Sequence, residues 1–294
     1  MTCQTPPDVP QAAIDLYDAY AHKTLDRRGF LEQLTALAGS VAAAAALLPL
    51  IEPGSAHAQT IGEDDPRLVT ERVVVPGGQS GLEGYLAVPS GDGPIGAVLV
   101  VHENRGLNAH IEDVARRFAA EGFMALSLDF LSPAGGTPGD PDAAREMIGA
   151  LQADDTLANG LAALQWLRGH PRGNGRTGVI GFCWGGAMVN RLAVADPALD
   201  AGSMFYGSAP DASGAAHVRA RLLLNYGELD ARINAGIPAW TQALEAAGVD
   251  FEAHIYPGAQ HAFFNDTSPA RFDPQAAALA WQRTLTLFGD ALER

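Results

Sequence analysis

One ten-residue stretch constrains this chain more than any other: Thr177-Gly178-Val179-Ile180-Gly181-Phe182-Cys183-Trp184-Gly185-Gly186. A short apolar run reads as a strand, passes into the pattern G-x-C-x-G-G, and gives way to helix-forming residues from Ala187. A sharp strand-to-helix turn holds its central residue in a strained conformation and thrusts that side chain above a sheet. Glycine is needed at 181 and 185 because a Cβ there would collide with neighbouring backbone. The turn also sets the Cys183 thiol at a helix N-terminus, where the dipole favours thiolate. A free cysteine elsewhere would more readily be a packed apolar side chain; in this turn Cys183 is expected to be a nucleophile, in the place where serine is usual.

The rest of the chain supplies a sheet for that turn. Short β-branched runs predict strands at 72–75, 84–88, 97–102, 124–128, 178–181, 202–206, 221–226 and 251–256, and amphipathic stretches predict helices at 110–121, 142–151, 156–168, 185–195, 235–247 and 274–291. A Gly-rich turn at 77–81 joins the first two strands, as in an antiparallel hairpin. The later alternation implies crossovers and a mostly parallel central sheet of about eight strands with helices on both faces, an α/β fold. The run 97–101 is apolar on both faces, as a central strand must be. Ile111, Val114, Ala115 and Phe118 form a helical core stripe. The Pro/Gly-rich loop 132–141 follows a strand at the sheet's carboxyl end and is expected to border the site. Apolar residues make up 47% of the chain and charged ones 18%, enough for one large core. A net charge of −15 repels phosphate backbones, which argues against nucleic-acid partners. The glycines at 77–84 join two strands and open no helix, so they are no dinucleotide site. No Cys/His cluster has zinc-ligand spacing, and no metal is expected.

A carboxylate and a histidine follow the turn in chain order. The strand at 222–226 ends in Gly227-Glu228-Leu229-Asp230. Asp230 is the expected acid, with Glu228 as the alternative; a plain helix N-cap is the other reading of Asp230. The last strand runs into Pro257-Gly258-Ala259-Gln260-His261-Ala262-Phe263. His261 stands where a base can take a proton from the nucleophile while Asp230 fixes its tautomer. Of the eight histidines, His22 and His57 fall in the N-terminal segment, His217 lies away from strand ends, His254 is inside a strand and His170 is in a loop.

That N-terminal segment reads as a leader. Residues 26–32 are Asp-Arg-Arg-Gly-Phe-Leu-Glu, an apolar run at 34–51 is broken by Pro49, and Ala56-His57-Ala58 offers a peptidase site. The pattern is that of a twin-arginine export signal over 1–58, leaving 59–294 as a periplasmic or secreted domain. An uncleaved membrane anchor and a helix opening the domain are the alternatives. Asp8, Asp15, Asp18 and Asp26 make the stretch unusually acidic, and 11–22 can form a short amphipathic helix of no legible purpose. Cleavage would remove Cys3 and leave Cys183 as the sole thiol, with no internal disulfide to make.

Four segments together resemble the dienelactone hydrolase (carboxymethylenebutenolidase) family of α/β-hydrolases, over residues 82–288: Val101-His102-Glu103-Asn104-Arg105-Gly106-Leu107-Asn108, the turn at 181–186, the loop 227–230 and the loop 258–263. The resemblance implies a Cys183–Asp230–His261 triad, no cofactor, a monomer, and hydrolysis of a small ester, enol-lactone or thioester through a thioester acyl-enzyme. It implies that Glu103 pairs with the resting thiol and controls its ionisation, since a nearby carboxylate disfavours thiolate. The backbone amides of Trp184 and Asn104 are the implied oxyanion hole, and His102 stands behind the site. The family carries an arginine for the substrate carboxylate four residues after the catalytic histidine; this chain has Asn265 there. Arg105 and Arg145 are candidates to compensate, with Phe263 as a further substrate contact. Two other classes compete: a periplasmic small-molecule-binding protein retaining the fold without turnover, and a redox thiol protein, which would need a partner cysteine.

Overall fold

The computed structural model describes residues 9–22, 24–52 and 59–293. Its centre is an eight-stranded sheet: β1 (Leu68–Val74), β2 (Glu83–Pro89), β3 (Ile95–Val101), β4 (Met124–Asp129), β5 (Gly173–Phe182), β6 (Ala201–Phe205), β7 (Arg221–Gly227) and β8 (Phe251–Tyr256). The spatial order is β1-β2-β4-β3-β5-β6-β7-β8. Strand β2 runs antiparallel to both β1 and β4, and every pairing from β4 onward is parallel.

The helices cover both faces. On one lie α4 (Ala109–Ala120) and α10 (Pro274–Leu292), which pack Ile111, Val114, Phe118, Ala280 and Phe288 onto Val98, Val100 and Ile180. On the other lie α6 (Ala153–Arg168), α7 (Trp184–Ala195) and α9 (Ile237–Ala246), which bring Leu164, Leu167, Val189, Leu192, Trp240 and Leu244 to Leu99, Val101 and Val179. Strand β3 alternates its side chains between these two cores, so its apolar run has no polar face to spare. Each such aliphatic side chain contributes about 1.5–3 kcal/mol on burial. Short α5 (Pro141–Ala150) and α8 (Ala231–Asn234) lie beside the carboxyl ends of the strands. The helix expected at 235–247 is α9, which begins at Ile237 with Pro238 in its first turn, where the missing N–H costs nothing; the short α8 precedes it.

Residues 9–22 and 24–52, within the segment expected to be a leader, are helical and packed in the structure. The chain forms α1 (Gln11–Ala21), α2 (Arg27–Ala38) and α3 (Val41–Ile51), which share a small core of Tyr17, Tyr20, Phe30, Leu34, Ala44 and Ile51. Tyr20 stacks on Phe30 at 4.9 Å. Asp26 caps α2 by accepting from Gly29 N at 2.7 Å, and Ser40 caps α3 in the same way. This unit packs on the domain, with Ala270 N donating to Leu50 O at 2.9 Å and Ser268 Oγ to Ile51 O at 2.8 Å. The purpose of the amphipathic pattern at 11–22 is therefore local: Tyr17 and Tyr20 face inward, and Asp18 meets Arg271. Of the paired arginines, Arg27 is ion-paired with Asp142 and Arg28 with Glu32. The expected peptidase site at Ala56-His57-Ala58, and Cys3, lie outside the described residues. Among the described residues no single helix is long and apolar enough to cross a membrane; α2 and α3 pass that test only together, bent by 112°.

Candidate active site

Five neighbouring strand ends build the site. At the carboxyl edge, β3 leads into His102-Glu103-Asn104, β5 into Cys183, β6 into Tyr206, β7 into the loop reaching Asp230, and β8 into the loop reaching His261. A crevice outside the carboxyl ends of parallel strands is where open α/β sheets bind ligands.

Cys183 sits with φ 55° and ψ −112° between β5 and α7, a left-handed conformation for a non-glycine residue. A Cβ on Gly181 would lie 2.2 Å from Gly185 O, and one on Gly185 2.4 Å from Val101 O. A Cβ on Gly207 would lie 2.2 Å from Gly186 C, on the same turn. The turn is thus wedged between the ends of β3 and β6, which keeps the strained residue in place.

His261 is buried and its Nδ1 lies 2.5 Å from Asp230 Oδ2. The other Asp230 oxygen accepts from Ile233 N at 3.2 Å and caps α8, so this carboxylate is both a helix cap and the orienter of the ring. Glu228, the alternative acid, is exposed and takes Gly258 N at 2.7 Å. Burial would lower the His261 pKa, but the charges of Cys183 and Asp230 outweigh it and raise it to about 10. Burial would likewise push the Cys183 thiol up, yet the His261 charge, with smaller contributions from the neighbouring His22, outweighs it and brings the pKa down to about 6. The pair therefore favours thiolate beside imidazolium, an arrangement able to attack a carbonyl carbon and protonate a leaving group. Trp184 N opens α7 beside the thiol, the position from which a backbone amide can face a developing oxyanion.

Glu103 does not pair with the thiol. Its Oε2 accepts from Asn265 Nδ2 at 2.8 Å and its Oε1 from Tyr206 Oη at 3.3 Å. Asn265, which stands where the resemblance implies an arginine, thus holds the carboxylate. His102 is fully buried, donates through Nδ1 to Glu103 O at 2.7 Å and stacks on Trp184 at 5.4 Å. Burial lowers its pKa and keeps it neutral.

The cavity at Cys183 has a volume of about 380 Å³; its walls include Asn104, Arg145, Trp184, Tyr206, Arg232 and Ile233, with Ala21 and His22 of the N-terminal unit. The three residues expected to touch substrate are placed differently from one another. Arg145 lines this cavity, but its guanidinium donates to Tyr20 O and lies 4.0 Å over the Tyr20 ring. Arg105 binds Tyr17 Oη at 3.0 Å and Pro141 O at 2.7 Å, and lines a separate cavity of about 610 Å³ under α1. Phe263 is fully buried against Tyr206 and Tyr256, below the cavity rather than on its wall. Loop 132–141, expected beside the site, borders the larger cavity through Thr137 to Pro141.

Four residues escaped the sequence reading. Tyr206, in left-handed backbone at φ 39°, lies against the His261 ring at 5.0 Å; its place just past β6 was a legible signal. Arg232 and Arg271 carried none. His22 was set aside with the leader, yet its Nε2 lies 3.5 Å from Cys183 Sγ and its ring 4.8 Å edge-on from that of His261. Asn104 Nδ2 helps hold it there by donating to Ala21 O at 2.9 Å.

Known proteins share this architecture. The sequence pattern of the dienelactone hydrolase family matches residues 82–292, and that of a family described as YqhI-like matches residues 1–39. A Methylorubrum extorquens protein named as a carboxymethylenebutenolidase is 31% identical over 284 residues, covering 92% of this chain and 94% of its own length. A crystal structure of a Klebsiella pneumoniae protein named as a dienelactone hydrolase superposes with a TM-score of 0.68 at 29% identity, over 76% of this chain and 98% of that one. The dienelactone hydrolase of Anabaena variabilis has the same fold at 22% identity, with a TM-score of 0.60 over 77% of this chain and all of that one. With an eight-stranded sheet, a strained strand-to-helix turn and these relatives, the chain belongs to the dienelactone hydrolase family and is a hydrolytic enzyme of the α/β-hydrolase fold.

Proposed function

We propose that the protein hydrolyses a small activated ester, enol-lactone or thioester through a thioester acyl-enzyme on Cys183. The observation that carries this reading is the Asp230–His261–Cys183 line: a 2.5 Å carboxylate–imidazole contact behind a thiol held at φ 55° on a helix N-terminus. The thiolate attacks the carbonyl carbon, forming a C–S bond and a tetrahedral oxyanion that the amides of Trp184 and Asn104 stabilise. The oxyanion collapses, the C–O bond to the alcohol breaks, and His261 gives the leaving oxygen its proton. Water then enters, His261 takes its proton, and the resulting attack breaks the C–S bond to release acid and restore the thiolate. Tyr206 keeps its proton, because burial first and the Glu103 and Cys183 charges next raise its pKa well above the usual value. Its hydroxyl therefore donates steadily to Glu103, which is held as a positioning group beneath the site rather than as a partner of the thiol.

A soft thiolate suits enolate and thiolate leaving groups better than amines, so amides are poor substrates. The test is turnover of p-nitrophenyl acetate, an enol-lactone and a thioester by the full chain and by Cys183→Ala, with mass spectrometry of the quenched protein. Turnover with an acyl adduct on Cys183, both lost in the variant, is the expected result. Equal rates in the two proteins sink the proposal.

A further inference from the structure

The end of β5, the loop after β8 and the C-terminal end of α1 bring together three side chains of metal-ligating type. One ligand atom from each of His22, Cys183 and His261 lies within 4.8 Å of the other two. We propose that this trio is a binding site for a borderline-soft divalent cation of the zinc type, and that the N-terminal helix supplies its third ligand.

The geometry fits on several counts. With a zinc–sulfur bond of about 2.3 Å, a zinc–nitrogen bond of about 2.0–2.1 Å and a tetrahedral angle, the two donor atoms stand about 3.5 Å apart. His22 Nε2 and Cys183 Sγ are 3.5 Å apart. Both imidazoles are anchored through the far nitrogen, as metal-bound histidines are. His22 Nδ1 donates to Asp18 O at 2.8 Å, and His261 Nδ1 to Asp230 Oδ2 at 2.5 Å. Each ring thus turns Nε2 toward the thiol. His261 Nε2 is buried and has no hydrogen-bond partner among the described residues. The cavity of about 380 Å³ opens on Cys183 and leaves room for water at a fourth position, the open coordination of a three-ligand site. One thiolate and two imidazoles select zinc-like ions over calcium or magnesium, which need oxygen donors.

One group opposes the cation. Arg232 Nη2 donates to His22 Nε2 at 2.8 Å and so occupies the lone pair that a metal requires. Arg232 is exposed and can swing into solvent. Metal and guanidinium therefore compete for one nitrogen, and bound metal holds the thiolate away from any carbonyl. The site would silence the hydrolase when the cation is abundant.

Cobalt(II) is the probe, used on the full chain carrying Cys3→Ser so that Cys183 is the only thiol. The expected result is a thiolate-to-cobalt charge-transfer band that saturates at one equivalent and is displaced by zinc. Affinity should fall at least tenfold in His22→Ala and rise in Arg232→Ala. Absence of the band, or the same affinity in His22→Ala as in its parent, overturns the proposal. If His22→Ala fails to fold, Arg232→Ala still decides, because weaker cobalt binding there contradicts the assigned competition. The readout is spectral, so it stands or falls independently of whether any ester is turned over.

Discussion

Asn265 donates through Nδ2 to Glu103 Oε2 at 2.8 Å, tying the loop after β8 to the end of β3. The same side chain accepts from Thr267 N at 3.0 Å and from Thr267 Oγ1 at 2.6 Å, so one amide organises the carboxylate and its own loop. Asn265→Ala leaves a buried carboxylate oxygen without its donor. The expected cost is about 1–3 kcal/mol, read as a fall in Tm of about 2–4 °C per kcal/mol. Retention of the parental Tm would contradict this role.

Asp230 does two jobs that a single substitution can separate. Asparagine caps a helix about as well as aspartate, but it cannot hold the Nδ1–H tautomer of His261 or balance its charge. Asp230→Asn is therefore expected to keep the Tm within about 1 kcal/mol of stability and to lower kcat by roughly 10⁴-fold. Steady-state kinetics beside a thermal melt distinguishes the two roles; loss of fold with the rate would mean that the cap dominates.

Thiol reactivity gives the pH dependence. The Cys183 pKa is lowered to about 6, so the thiolate fraction rises as pH climbs through that value, well below an ordinary thiol. Iodoacetamide alkylation of the chelator-treated Cys3→Ser protein is expected to reach half its maximal rate near pH 6. His261→Ala removes the main charge that opposes burial, so the midpoint should move upward. An unchanged midpoint would show that the imidazolium is not the cause.

The turn admits no side chain at 185. In Gly185→Ala the added Cβ would lie 2.4 Å from Val101 O and 2.5 Å from His102 O, both backbone atoms that cannot yield cheaply. Overpacking of this kind costs about 1–3 kcal/mol or more. Chemical denaturation should show it, together with slower Cys183 alkylation as the turn shifts.

Arg145 fastens α1 to the domain through Tyr20, by a hydrogen bond to its carbonyl and a cation–π contact at 4.0 Å. Arg145→Ala is expected to increase hydrogen exchange at residues 11–22 while the central sheet stays protected. Equal protection in both proteins would mean that the Tyr17–Phe30 core alone holds the helix.

The sheet was legible because its strands are buried on both faces, and an apolar run such as 97–101 fits the centre of such a sheet. Strand β8 lies where its sequence places it, at 251–256. Strand β5 is longer than the expected 178–181, because Gly173 to Thr177 continue the pairing beside β3 without an apolar signal of their own. Cys183, Asp230 and His261 were legible for a different reason. Each follows a strand within a glycine-containing turn, and such turns are punctuation that periodicity makes visible.

What the sequence by itself determined was therefore the fold class, the strained turn and the chain order of thiol, carboxylate and imidazole, since all three rest on local pattern. Only the tertiary structure decided which groups from distant segments share a cavity. It put Glu103 on Asn265 and Tyr206 instead of the thiol, and drew Arg105 and Arg145 onto the N-terminal helix. It also carried His22 across 161 positions to within 3.5 Å of Cys183. Contacts of that separation depend on how whole layers dock, and no residue spacing records them.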